Sequence, residues 1–144
     1  MINHQKLQDI NNDFLLVQNG HGIELARPDL INKRQNSHNI AHIMQLPCNV
    51  YFTDTHAIMH GLNDHLARFC PFESIDSIIG KSVFQLANKK SANEAVSNNF
   101  DVINFKQPKV IEENVILQDD SFYQCLTIKL PWFSNEKKLI GIFG

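Results

Sequence analysis

The order in which hydrophobic periodicity changes after residue 48 constrains this chain more than any single motif. Val50-Tyr-Phe-Thr53 is rich in strand formers, Asp54-Thr-His56 is a polar turn, and Ala57 to Leu62 is a second short strand, so the pair reads as a hairpin. Asn63 is placed to cap a short helix that Pro71 stops. Ser74 and Asp76 precede a turn bearing Ile75, Ile78 and Ile79, Gly80 permits a tight reversal, and Ser82 to Leu86 is another helical turn. Ser91 is placed to cap one longer helix through about Asn104, with Ala95, Val96, Phe100 and Ile103 as its buried stripe. Strand alternation then runs from Val110 to Leu117, from Phe122 to Phe133 and from Leu139 to Phe143, with turns at Asp119-Asp-Ser121 and Ser134 to Lys138. This series implies an α+β fold, a five-stranded antiparallel sheet with helices on one face, enclosing a small hydrophobic chamber.

Residues 1–46 read differently. Leu7, Ile10, Phe14 and Val17 recur at three- and four-residue steps, which predicts an amphipathic helix over about Gln5 to Val17. Asn19-Gly-His-Gly22 breaks it, and Arg27-Pro28-Asp29 restarts a more polar helix that ends at Pro47. The expected organisation is therefore a helical extension, 1–46, ahead of one domain, 47–144. The apolar stripe has two uses, as a cap on the sheet or as a pairing surface. In a homodimer Leu7, Ile10, Phe14 and Val17 of two copies would meet across a two-fold axis.

Bulk chemistry narrows the function. A formal charge of −2 gives no electrostatic case for nucleic acid or an anionic membrane. No run of about 18 apolar residues is present, and the start lacks a signal-peptide layout. Cys48, Cys70 and Cys125 are odd in number and widely spaced, which suits reduced thiols in apolar surroundings and a cytoplasmic location. The chain closes on the last strand without a polar tail, as expected of a fragment whose ladder continues.

The stretch 49–144 resembles a PAS sensory domain. Val50-Tyr-Phe-Thr-Asp54 is similar to its first strand, and His60-Gly-Leu-Asn63 to its second strand running into the helix-capping Asn. Phe72 to Lys81, ending Ile-Ile-Gly-Lys, is similar to its short-helix passage, with Pro71 where Gly is usual. Lys129-Leu-Pro131 and Leu139-Ile-Gly-Ile142 resemble its last two strands. The resemblance implies that the first and last strands of the sheet are neighbours. It also implies a signal-input module that binds a small ligand, or pairs with itself, to control an effector in the same parent chain. That effector would be a histidine kinase, a cyclic-di-nucleotide enzyme or a LuxR-type helix-turn-helix domain. The alternative is a pure dimerisation or scaffolding module with a filled core.

Specific chemistry is sparse. Gly80-Lys-Ser-Val-Phe84 lacks the adduct Cys of photoactive flavin versions, and the long helix has no His to serve as a haem ligand, so no flavin or haem is expected. His38 and His42 would share a helix face, and His56, His60 and His65 cluster in sequence, but no metal-ligand spacing accompanies them and no zinc is expected. No catalytic residues are assigned: there is no Gly-x-Ser-x-Gly and no phosphate loop. Glu112 and Glu113 are adjacent, so a strand sends them to opposite faces. An inward Glu needs a donor from a ligand or from the protein, and a salt bridge or an exposed edge is the ordinary outcome. The expected chamber lining is Phe52, Met59, Leu66, Phe69, Phe84, Leu86, Phe100, Ile103, Ile116 and Leu126, which suits either a small apolar ligand or a filled core.

Overall fold

The structure, a computed structural model, describes residues 43–134 and 136–144, and three earlier segments as backbone strands: β1 (Leu15–Asn19), β2 (Gly22–Ala26) and β3 (Asn36–Asn39). There follow β4 (Tyr51–Asp54), β5 (Met59–Leu62), α1 (Asp64–Ala67), a 3-10 turn (Ile75–Ser77), α2 (Val83–Leu86), α3 (Lys89–Phe105), β6 (Lys109–Ile116), β7 (Phe122–Phe133) and β8 (Leu139–Phe143).

Five of these strands form an antiparallel sheet in the order β5-β4-β8-β7-β6, so the first and last strands of the domain are neighbours. The length of β7 makes this order possible. Its residues from Phe122 to Lys129 pair with β6, and those from Leu130 to Phe133 pair with β8. Beyond the end of β6, β2 adds in parallel, opposing Ile23 to Trp132 and Glu24 to Phe133, with β1 and β3 outside it.

These outer strands correct the expected helical extension. Leu15, Leu16 and Val17 lie in β1 rather than at the end of a helix, opposite Ala26, Leu25 and Glu24. The physical reason is local. Asn19 and Gly22 oppose each other across the two-residue connection Gly20-His21, with Gly at its first position as tight hairpins favour, whereas an isolated short helix has little to hold it. Asn36–Asn39 is likewise a strand, so His38 has no helix face to share with a residue four positions on. Leu7, Ile10, Phe14 and His42 lie outside the described residues.

The helices are set by caps. Asn63 caps α1 by accepting from Leu66 N at 3.0 Å, and the same buried side chain accepts from Val50 N and donates to the carbonyls of Cys48 and Leu46. One amide thus ties the entry segment, β4 and α1 together. Asn88, not Ser91, caps α3, which starts three residues earlier than a Ser91 cap implies, and Ser91 instead hydrogen-bonds the β6 backbone at Asn114 and Ile116.

Apolar packing divides between the two faces of the sheet. On the helix side Leu62, Ile78 and Leu86 form a buried cluster joined by Tyr51, Met59 and Leu66. On the opposite face Val50, Phe52 and Trp132 form a second cluster, covered by Ile43 and Met44 of the entry segment and joined by Leu130 and Phe143. The Phe52 ring lies 5.2 Å from that of Trp132 and 4.7 Å from that of Phe143. Phe52, Phe84 and Phe100 therefore do not share one cluster: Phe84 is half exposed, and Phe100 is 62% exposed. Trp132→Ala and Phe52→Ala should each cost about 3–5 kcal/mol. Phe100→Ala should stay within about 0.5 kcal/mol of wild type in urea melts.

Candidate functional site

Strand parity places a row of unlike side chains under α3. Tyr123, Cys125, Thr127, Lys129 and Pro131 of β7 share the helix-facing side, and Val115, Glu113, Ile111 and Lys109 of β6 lie opposite the first four in register, with Ile142 of β8 opposite Pro131. The remaining parity of β7, Phe122, Gln124, Leu126 and Ile128, faces outward. α3 crosses the first row and turns Ala92, Ala95, Asn99 and Val102 toward it, at i, i+3, i+7 and i+10 spacing.

The centre of this arrangement is Lys129, 1% exposed. Its ammonium lies 2.9 Å from Glu113 Oε1, donates to Asn99 Oδ1 at 3.0 Å and makes a longer contact to the Ala95 carbonyl at 3.4 Å. Glu113 Oε1 also accepts from Asn98 Nδ2 at 3.1 Å. Asn98 Oδ1 in turn accepts from Lys109, which pairs with Asp101 at the rim. A polar chain thus runs from solvent at Asp101 to the interior at Lys129. It stitches α3 to β6 and β7.

Burial raises the Glu113 pKa, but the attraction of Lys129 and hydrogen bonds from Lys129, Thr127 and Asn98 outweigh it, so the carboxyl is held below its ordinary value. Burial lowers the Lys129 pKa, and the charge and hydrogen bond of Glu113 oppose that effect without reversing it. The ammonium and the carboxylate are placed as an ion pair in which each charge compensates the other. Tyr51 is the third member. Its ring occupies the place that a side chain at Gly144 would take: a Cβ there would lie 2.2 Å from Tyr51 Cζ. Burial, followed by the Glu113 charge and Cys125, raises the Tyr51 pKa far above the ordinary phenol value, so the phenol stays neutral. The Cys125 thiol is raised by burial and then by Glu113, and Cys70 by burial, which keeps both protonated. Cys48 is exposed, in contrast to the apolar surroundings expected for it.

The residues expected to line the interior separate. Met59, Leu66 and Leu86 come together in the helix-side cluster, and Ile103 and Ile116 are half-buried. Phe52 sits on the other face of the sheet. Leu126 is 73% exposed because it belongs to the outward parity of β7, and Phe100 is exposed because Asn99 and Val102 hold the inner face of α3. Phe69 and Phe84 are also exposed, Phe69 standing edge-on to the ring of Tyr123 at 5.6 Å. The polar centre was missed because Lys129 and Asn99 read as surface types. The one signal pointing inward was the alternation that sends Glu113 and Glu112 to opposite faces.

The histidines disperse as well. His60 is buried with Nε2 3.0 Å from Asp54 Oδ2, closing the β4–β5 hairpin, and His65 pairs with Asn49. Among the described residues no group of three or more His, Cys, Asp or Glu side chains is placed to hold a metal ion.

Lys129→Met should cost about 3–5 kcal/mol, because it leaves a largely buried carboxylate without its counter-charge. The Glu113 contribution is present above its unfolded pKa of about 4.3 and is lost as pH falls through its lower folded value. The stability gap between wild type and Glu113→Gln, measured by urea melts from pH 7 to pH 3, should therefore narrow at the acid end.

No protein-family model matches the sequence, and no curated protein matches it. Solved structures do match. VqmA of Vibrio cholerae, described as a dimer and among LuxR-type receptors, aligns with 18% identity and a TM-score of 0.63, covering 72% of this chain and 48% of that one. A structure described as VqmA bound to DPO aligns with the same identity and TM-score and is covered over 53% of its length. A PAS domain from Colwellia psychrerythraea aligns with 12% identity and a TM-score of 0.61, covering 72% of this chain and 87% of that one. The chain spans about half the length of the VqmA structures. With this sheet order, these helices on one face and these neighbours, the fold is that of a PAS domain.

Proposed function

We propose that this chain is the signal-input module of a regulatory protein, and that it takes a small molecule between α3 and the sheet. The observation that carries this reading is the buried Lys129–Glu113 pair with Asn98 and Asn99 around it. A hydrophobic pair of similar volume is often as stabilising as a buried ion pair, or more so. Stability alone is therefore a weak reason for charges here. Their polarity shifts the expected ligand from purely apolar to one with hydrogen-bonding groups. VqmA, a structural neighbour, is described as bound to DPO and as a DNA-binding receptor of the LuxR type. That likeness favours a helix-turn-helix domain as the output over a kinase or a cyclic-di-nucleotide enzyme. The role is binding rather than catalysis. Three free thiols, and no helix among the described residues long and apolar enough to cross a membrane, accord with a cytoplasmic setting.

A thermal-shift screen of metabolite-sized compounds tests the reading. At least one compound should raise the melting temperature by several degrees and saturate at one per chain. The double variant Glu113→Leu/Lys129→Met should keep the fold and lose that shift. A screen with no stabilising compound, or a shift retained by the double variant, would overturn it.

A dimerisation role has its own observation. Val110, Phe122, Leu126 and Ile128 form an exposed apolar stripe across β6 and β7, beyond the part of this face that Ile43 and Met44 cover. If this stripe pairs two copies, light scattering should give a dimer mass that Leu126→Asp halves. A wild-type monomer at high concentration would rule pairing out.

A further inference from the structure

Among the described residues two buried side-chain polar atoms have no hydrogen-bond partner: Trp132 Nε1 and Thr53 Oγ1. Trp132 lies on the sheet face away from α3, beside β2. Thr53 lies on the other face. It is opposite Ile142, which is opposite Pro131, and Pro131 shares the face of Lys129 two residues away. The Thr53 hydroxyl therefore belongs to the same interior as the ion pair. Tyr51 precedes it by two residues on the same side of β4.

We propose that the ligand of this interior is an uncharged molecule with an apolar body and a hydrogen-bonding group, and that the Thr53 hydroxyl binds that group. This rests on the sensor reading above. Two features support it. The first is the saturation of the charged centre. The three N–H groups of Lys129 face Glu113, Asn99 and the Ala95 carbonyl, and the Glu113 charge cancels the Lys129 charge. An ionised ligand would lose its hydration and find no counter-charge without breaking this pair.

The second feature is Thr53 itself, 4% exposed. Its hydroxyl is both a donor and an acceptor, and burial has removed water from each. Valine has nearly the same shape and would carry no such defect. A desolvated, unmatched hydroxyl becomes favourable when a ligand group meets it. The apolar groups on the same side, Tyr51, Leu62, Leu86 and Ile142, suit a small ring or short chain behind that polar point.

Three probes of one shape and different charge test this on the full chain: benzamide, benzoate and benzylamine, with affinities measured by ligand-observed NMR at pH 7. Benzamide should bind at least about tenfold more tightly than either ion. Thr53→Val should weaken benzamide about tenfold, while Thr53→Ser restores it. The free Thr53→Val protein should melt at or above the wild-type temperature, which shows that a loss of binding is not a loss of fold. The proposal fails if benzoate or benzylamine binds best, if Thr53→Val leaves benzamide affinity unchanged, or if no probe binds. Each of these results leaves the sensor reading to the compound screen, which judges it separately.

Discussion

A fully buried ammonium is a severe constraint on a small domain. Lys129 is tolerable only because Glu113 supplies a charge at 2.9 Å and Asn99 supplies an oxygen at 3.0 Å. Meeting those needs fixes the structure around it. Glu113 must sit on the inner parity of β6, which sets the β6–β7 register. Asn99 must point down from α3, which sets the rotation of the helix. Asn98 then reaches Glu113, and Lys109 reaches Asn98, so the helix is locked to the hairpin at several points along its length. A rotation of α3 by one residue would break most of these contacts together.

Close backbone approach does the same for the other half of the sheet. A Cβ at Gly141 would lie 1.9 Å from the carbonyl oxygen of Thr53, so β4 and β8 can pair here only with glycine at that position. At Gly144 the space a side chain would need is filled by the ring of Tyr51. The last strand thus holds β4 on one side and gives the ring of Tyr51 its place at Gly144.

The outer face of the sheet behaves differently along its length. Near Trp132 it is dry, closed by Ile43 and Met44. Toward Phe122 the same face is bare and apolar. Over Phe122–Ile128, one side of β7 therefore leaves its apolar residues outside the domain, while the opposite parity of the strand carries the Lys129 charge inside. This inverts the usual arrangement of a half-buried strand, in which the apolar parity faces the core.

That inversion separates what the sequence could determine from what it could not. Element order after residue 48, the Asn63 cap, the β4–β5 hairpin and the alternation of β6 and β7 were legible, because caps, turns and periodicity are local properties. The neighbouring of β4 and β8 followed from the resemblance to PAS domains and holds in the structure. Which face turned inward was not legible. Phe100 and Leu126 were placed in the interior because large apolar side chains ordinarily go there, but the interior is claimed by Lys129, Glu113 and Asn99, which are stable inside only as a set. Their compatibility depends on partners 14 to 30 residues apart, and no local pattern encodes it. The strands at Leu15–Asn19 and Asn36–Asn39 teach the same point from the other side. The helical spacing that would have placed Val17 at the end of a helix carries little weight where β1 and β2 can join a ladder that reaches the edge of β7. After residue 48 local chemistry wrote the list of elements and the burial of one charge pair decided how they face; before it, the open edge of β7 decided that the chain runs as strands.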